Sequence, residues 1–157
     1  MKFSPDKKIF LICLFILGSF FEISIAQLYV FKLNDLSFGD VFIGYSAVVT
    51  DIDPSAAKFR FYQDIKKKID IRVRFTLPAN LTSGGSSIPI TFSSTYSTWS
   101  ANDNLSGRTN FNPFSPLLFP RLLRNNDIFI WLGASISPTS VPHGLYQGTI
   151  IIFVEVY

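Results

Sequence analysis

The chain has 157 residues, of which 48% are hydrophobic and 16% aromatic, with 14 basic residues against 11 acidic ones. This composition excludes an intrinsically disordered chain, because disorder requires few aromatic residues and a high net charge. The formal net charge of +3 is too small to favour a nucleic-acid partner. The length suits a single domain with its own hydrophobic core.

Residues 1–26 are typical of a cleaved signal peptide. Lysines near the start precede an apolar run at residues 9–21, and small residues at Ser24 and Ala26 mark a cleavage site before Gln27. The alternative, an uncleaved anchor, is disfavoured because about 20 apolar residues are needed to cross a bilayer. We therefore expect export to the periplasm, the cell surface or the extracellular space, with no membrane span after cleavage.

The only cysteine, Cys13, lies inside that apolar run. The mature chain is then free of cysteine, so its core rather than disulfide bonds must stabilise it. We predict one β-sandwich domain over residues 27–157. No segment of this domain has a sustained helical period of apolar residues, so helices should be few.

Short strands open the predicted domain. Residues 28–33 and 46–50 are rich in apolar and β-branched side chains, which favour strands. Residues 51–55 contain two aspartates and Pro54, a composition that predicts a turn.

The clearest alternation of apolar and polar residues follows this turn. Apolar residues occupy every second position from 57 to 61 and again from 69 to 77. This pattern predicts two half-buried strands. The polar segment between them predicts a hairpin in which Phe61 lies opposite Ile69.

The outward face of this predicted hairpin is basic. Arg60 is expected to face Asp70, a favourable cross-strand pair. Lys58, Arg72 and Arg74 remain as a candidate basic patch that would attract an anionic polysaccharide or another acidic surface. The alternative is a solvated strand face whose charges discourage edge-to-edge pairing.

An apolar segment with three prolines lies at residues 111–123. Proline disrupts regular helices and strands, so neither should extend through most of it. We expect it to lie over the sandwich and to bury its side chains there. The alternative is that it anchors a partner.

The last predicted elements are strands at residues 128–136 and 146–157, joined by a turn region with two prolines and a glycine. We predict that they form a hairpin in which Trp131 lies opposite Ile151. One face of this hairpin would belong to the core. The other would carry Phe129, Trp131, Ile151 and Phe153, which form the candidate partner surface because an outer face is normally polar.

The order of motifs along the chain resembles that of exported bacterial β-sandwich proteins of domain-of-unknown-function family 4402. It is also similar in look to spore coat U and, more distantly, to pilin-like domains. The motifs that carry the resemblance are Ala57-Lys58-Phe59, Phe75-Thr76-Leu77-Pro78, Ser83-Gly84-Gly85, Ile88-Pro89-Ile90-Thr91-Phe92, Phe111-Asn112-Pro113, Ile130-Trp131-Leu132-Gly133 and Gly144-Leu145-Tyr146-Gln147-Gly148-Thr149-Ile150.

This resemblance implies an immunoglobulin-like sandwich with an extracellular structural or adhesive role and no catalytic site. The pattern of many short strands separated by turn residues independently predicts an all-β antiparallel sandwich of about seven to nine strands. The resemblance implies that this sandwich is immunoglobulin-like or pilin-like. The chain departs from the family at Ile151 and Phe153, where the outer face of the last strand often carries threonine.

Residues suited to catalysis or metal binding are scarce in the predicted mature chain. His143 is the only histidine and lies between Pro142 and Gly144 in the turn region. General-base catalysis most often uses histidine, and zinc sites need several His or Cys ligands. We therefore predict that the protein is not an enzyme and has no cofactor or metal.

The predicted function is that of an exported structural or adhesion-type protein that acts by protein–protein contact, through strand addition or self-assembly. The alternative is a module that binds cell-surface glycans. Such a module would use the basic residues Lys58, Arg72 and Arg74, or the rings of Tyr96 and Trp99.

Overall fold

The computed structural model describes residues 28–63, 68–122 and 127–157. The predicted signal peptide and its cleavage before Gln27 lie outside these residues. The described residues form twelve β-strands and one short 3-10 helix, so the chain is all-β as predicted, with more strands than expected.

The strands follow one another with short connections, apart from long loops before β2 and β12. Their bounds are β1 Leu28–Asn34, β2 Ala47–Val49, β3 Ala57–Gln63, β4 Ile69–Thr76, β5 Asn80–Ser83, β6 Ser86–Thr91, β7 Ser97–Ser100, β8 Thr109–Asn110, β9 Leu117–Leu122, β10 Asp127–Leu132, β11 Ala134–Ile136 and β12 Ile151–Val156. The 3-10 helix is Ser94–Tyr96.

The strands form three antiparallel sheets. A five-stranded sheet has the order β1-β3-β10-β7-β8, a four-stranded sheet the order β2-β11-β6-β5, and a three-stranded sheet the order β12-β4-β9. The four-stranded sheet continues toward the three-stranded one, because Thr82 of β5 bridges Gln147 shortly before β12.

The main core lies between the five-stranded and three-stranded sheets. Phe61 of β3, Ile71 and Val73 of β4 and Ile130 of β10 are fully buried members of one apolar cluster. Burial alternates strictly along β3, because successive side chains of a strand point to opposite faces of its sheet. The predicted inward positions of β3 and of the buried part of β4 are therefore confirmed.

The predicted hairpin between these two strands is wrong. β3 pairs with β1 and β10, and β4 pairs with β12 and β9. Phe61 and Ile69 thus belong to facing sheets and meet in the core. The alternation that predicts which face of a strand is buried does not specify its neighbour. Most of the predicted tip, residues 64–67, lies outside the described residues.

The predicted pairing of Arg60 with Asp70 is wrong for the same reason. Arg60 instead bonds Asp127 of the neighbouring strand β10, with Nε and Nη2 donating to the two carboxylate oxygens at 2.9 and 3.0 Å. This interaction raises the pKa of Arg60 above its ordinary value. Asp70 accepts a hydrogen bond from the backbone N–H of Arg121 at 2.6 Å.

The predicted C-terminal hairpin is also wrong. β10 lies inside the five-stranded sheet, where Trp131 is opposite Lys58 of β3 and Thr98 of β7. β12 lies at the edge of the three-stranded sheet, where Ile151 is opposite Thr76 of β4. An apolar run such as β10 is typical of a strand covered on both faces, and the segment after β11 carries the chain to the other sheet.

The proline-rich segment meets the core at two rings. Phe111 and Phe119 are buried in the main apolar cluster, as expected for a segment that buries side chains locally. Its C-terminal part forms β9, an edge strand that contains Pro120. Proline is tolerated there because an edge strand leaves part of its backbone unpaired.

The chain passes from the five-stranded to the four-stranded sheet at Gly133, the single residue between β10 and β11. A Cβ at this position would lie 2.2 Å from the carbonyl oxygen of Val49. The backbone N–H of Gly133 donates to the carbonyl of Tyr96 at 2.7 Å. Only glycine fits this close approach of two backbones.

Candidate interaction surfaces

The four residues of the candidate partner surface do not lie together. Phe129 and Trp131 belong to the five-stranded sheet and are 7% and 4% exposed. Ile151 and Phe153 belong to β12 in the three-stranded sheet and are 46% and 48% exposed. Half of the predicted surface is therefore buried, and the other half is an exposed apolar pair.

Cationic side chains cover Phe129 and Trp131. Lys58 Nζ lies 5.6 and 5.7 Å from the centres of these two rings, and Arg108 Cζ lies 3.7 Å from the Trp131 ring. Cations over aromatic faces are attracted by the ring quadrupole. Phe129 and Trp131, which the sequence predicts on an apolar outer face, are thus covered by side chains of the same chain.

A nearly buried ion pair holds Arg108 in place. Arg108 Nη1 donates to the backbone carbonyl and to Oδ2 of Asp51, and Nε donates to the carbonyl of Asn104 at 3.0 Å. Thr98 Oγ1 donates to the same Asp51 oxygen at 2.8 Å. These bonds fasten residues 101–108 to the turn that holds Asp51. The sequence predicts this turn but gives no sign of its partner Arg108.

The candidate basic patch is divided between two sheets. Lys58 lies on β3 and pairs with Asp103, whereas Arg72 and Arg74 lie on β4 and both pair with Glu155 of β12. Each cation has an acidic neighbour. The three residues therefore do not form the single basic surface that the sequence predicted.

The two rings proposed as sugar platforms are Tyr96 and Trp99. Trp99 packs edge-on against Phe119 at a centroid distance of 5.0 Å and contacts the main core. Tyr96 ends the 3-10 helix. Trp99 is thus partly buried against the core.

One lateral side of the sandwich ends in two edge strands. β3 faces β4 in the core, and Trp99 of β7 meets Phe119 of β9. The strands of the five-stranded sheet therefore follow one another across the sandwich in the same direction as those of the three-stranded sheet. This places the edge strands β1 and β12 on the same side of the sandwich. These two strands carry six exposed large apolar residues: Val30, Phe31, Leu33, Ile151, Phe153 and Val156.

A large groove opens beside β1 and the segment that precedes β12. Its volume is about 1370 Å³, more than the roughly 300–1,000 Å³ of typical small-molecule pockets. Loops at residues 35–45 and 138–150 form its walls, and Ile88, Ile90 and Ile136 of the four-stranded sheet form part of its floor. Gly44 N–H donates to the carbonyl of Pro138 at 2.8 Å and joins the two walls.

The described ranges contain no group of three or more His, Cys, Asp or Glu side chains that could hold a metal ion. His143 is exposed in the loop between β11 and β12. No helix in the part of the chain that the structure describes is long and apolar enough to cross a membrane.

Comparison with protein-family models, with curated proteins and with solved structures finds no match for this chain. The resemblance to family 4402, spore coat U and pilin-like domains therefore stays a prediction from the sequence.

Proposed function

We propose that this is an exported, non-catalytic structural or adhesion-type β-sandwich protein that acts by protein–protein contact, through strand addition at β12. One observation carries the proposal. β12 is a six-residue edge strand whose outward side chains Ile151 and Phe153 are almost half exposed.

An edge strand of this kind supplies both parts of strand recognition. Its unpaired N–H and C=O groups can bond an added strand, and its alternate side chains select the partner. Among the described residues, β12 pairs with a strand on one side only, where its partner is β4. The added strand would also cover the apolar pair, which is worth about 25 cal/mol for each Å² removed from water.

A labelled peptide tests this capacity for strand addition. The probe is a fluorescent copy of residues 148–157 with lysines appended for solubility, titrated with the protein and followed by anisotropy. We expect saturable binding that weakens about tenfold or more in the variant Ile151→Thr/Phe153→Thr, because two apolar contacts are lost.

The matched control is Leu118→Thr. Leu118 is about as exposed as Phe153 but lies on β9, at the opposite edge of the same sheet. This variant should bind the probe like the wild type. Absence of saturable binding to the wild type would overturn strand addition at β12.

A second candidate, the glycan-binding module, is favoured by the outer face of β1 and β3. The guanidinium of Arg60 lies 6.0 Å from the Phe31 ring and 5.5 Å from the Tyr62 ring, and it bonds Asp127. Aromatic rings beside a fixed pair of polar groups could stack on a sugar and bond its hydroxyls.

A glycan array distinguishes this candidate from the first one. The module predicts binding to defined oligosaccharides that falls about fivefold in Phe31→Ala, since stacking on a ring is worth on the order of 1 kcal/mol. Binding that is absent, or equal in the wild type and in this variant, would exclude this face.

A further inference from the structure

We propose that the partner of β12 is β12 of a second copy of this chain, paired antiparallel about a two-fold axis that passes at Ile152. This inference rests on the proposed function, since it names the occupant of the same edge. Three features support it: the other sheet edges are protected against pairing, the β12 edge is complementary to itself, and Glu155 restricts the register.

Most described sheet edges carry a feature that discourages pairing with another chain. Natural proteins protect edges by keeping them short, by placing proline or inward-pointing charges on them, or by covering them. β8 and β2 have only two and three residues, β9 contains Pro120, and the free side of β5 is bridged by Gln147.

β1 is protected by an inward charge. Lys32 lies opposite Phe59, a core residue, and so takes an inward position, although its side chain is 60% exposed and pairs with Asp35. An added strand would bury this charge. Between Ile151 and Val156, β12 has no lysine and no proline, and its inward positions are Ile152, Val154 and Val156. β12 is thus the one long, unprotected edge among the strands that the structure describes.

A two-fold axis at Ile152 makes this edge complementary to itself. In an antiparallel pair, residues that face each other lie on the same side of the sheet. With the axis at Ile152, the outward Ile151 lies opposite the partner's Phe153, and the inward Val154 lies opposite the partner's Ile150. The pairs nearest the axis are then apolar on both faces.

Charge disfavours the registers in which the axis is shifted toward the C-terminus. Glu155 is the only charged side chain of β12, and it is already bonded to Arg72 and Arg74 of its own chain. With the axis at Ile152, Glu155 lies opposite the partner's Thr149. A shift of the axis to Phe153 or Val154 would place Glu155 opposite an apolar residue, which costs desolvation without a partner.

The pairing would join the two three-stranded sheets into one sheet of six strands. A two-fold interface of this type uses the same patch on both copies and closes on itself, so it produces a dimer and not a fibre. The exposed pairs Ile151 and Phe153 of the two copies would then form one continuous apolar stripe.

The test combines oligomeric state with cross-linking. Light scattering and sedimentation of the purified protein should give a dimer, and Ile151→Thr/Phe153→Thr should raise its dissociation constant about tenfold or more. Leu118→Thr should remain dimeric. Thermal melting of each variant verifies folding, and Phe153→Lys provides a second disruption because it places a charge opposite the partner's Ile151.

Cross-linking tests the register. Cys13 is the only cysteine of the sequence, so Ile152→Cys in a Cys13→Ser background has a single thiol. Facing Cα atoms in an antiparallel pair are about 4.5–5.5 Å apart, within the range for a disulfide bond. Mild oxidation should convert this variant to a covalent dimer, and Leu118→Cys in the same background should stay monomeric on denaturing gels.

Each other outcome overturns the inference. A monomer that binds the labelled peptide excludes the second copy but leaves strand addition intact, whereas a monomer that does not bind it excludes both. Open-ended oligomers contradict the two-fold axis. A dimer that is insensitive to the Thr variants and does not cross-link at position 152 uses a different surface.

Discussion

Replacing Gly133 with alanine should destabilise this protein severely. The added Cβ would lie 2.2 Å from the carbonyl oxygen of Val49 and 3.0 Å from the carbonyl carbon of Thr50. Overpacking typically costs about 1–3 kcal/mol. Here the obstructing atoms belong to the backbone of a neighbouring segment, so no side chain can move aside. We expect a loss at or above the upper end of that range.

This loss is large against the roughly 5–15 kcal/mol that stabilises a typical domain. Urea denaturation followed by circular dichroism measures it. Gly85→Ala is the control, because Gly85 has a positive φ of 88° and open space around it. That variant should lose only about 1–2 kcal/mol, the cost of a left-handed backbone. Equal midpoints for Gly133→Ala and the wild type would contradict the close approach.

Gly133 also explains why the predicted C-terminal hairpin is wrong. The sequence analysis treated residues 128–136 as one strand, but the chain crosses between two sheets at this glycine. β11 pairs with β2 and β6, and the long loop that follows carries the chain to β12. A hydrophobic pattern records burial on each face, and a crossing between sheets leaves that pattern unchanged.

The prediction succeeded where it depended on local periodicity. The alternation at residues 57–61 and 69–73 matches the observed burial of β3 and β4. It failed where it required a choice of neighbour, since two half-buried strands can lie side by side in one sheet or face each other across a core. Their consecutive order in the chain favoured the hairpin, and the packing of Phe61 against the facing sheet has no local signature.

For the candidate partner surface too, local sequence explains one part of the outcome and contacts between distant residues decide the other. Exposure of Ile151 and Phe153 follows from their outward positions on an edge strand, whereas burial of Trp131 depends on residues far away in the sequence. Arg108 is bonded to Asp51, which lies 57 positions earlier. Nothing in the local sequence of either residue indicates this contact.

A second large loss of stability is expected when the ion pair of Arg108 and Asp51 is broken. Arg108 and Asp51 are 10% and 15% exposed, so removal of the arginine leaves a largely buried carboxylate with Thr98 as its remaining side-chain partner. Breaking a buried pair in this way typically costs about 3–5 kcal/mol. We therefore expect Arg108→Ala to lower the free energy of unfolding by about 3 kcal/mol. The exposed pair of Lys32 and Asp35 supplies the control, and Lys32→Ala should cost less than about 1 kcal/mol.

Tryptophan fluorescence distinguishes loss of the cover over Trp131 from general destabilisation. The chain has two tryptophans, so a Trp99→Phe background reports on Trp131 alone. Arg108→Ala should shift the emission of Trp131 to longer wavelength and increase its quenching by acrylamide while the protein remains folded.

Arg108→Lys keeps the charge but loses the planar group that lies 3.7 Å from the ring. An emission shift in Arg108→Lys would show that the flat guanidinium excludes water from Trp131. Unchanged emission in Arg108→Ala would mean that Arg108 does not cover the ring, and the outer face of β10 would again be a candidate for contact with a partner.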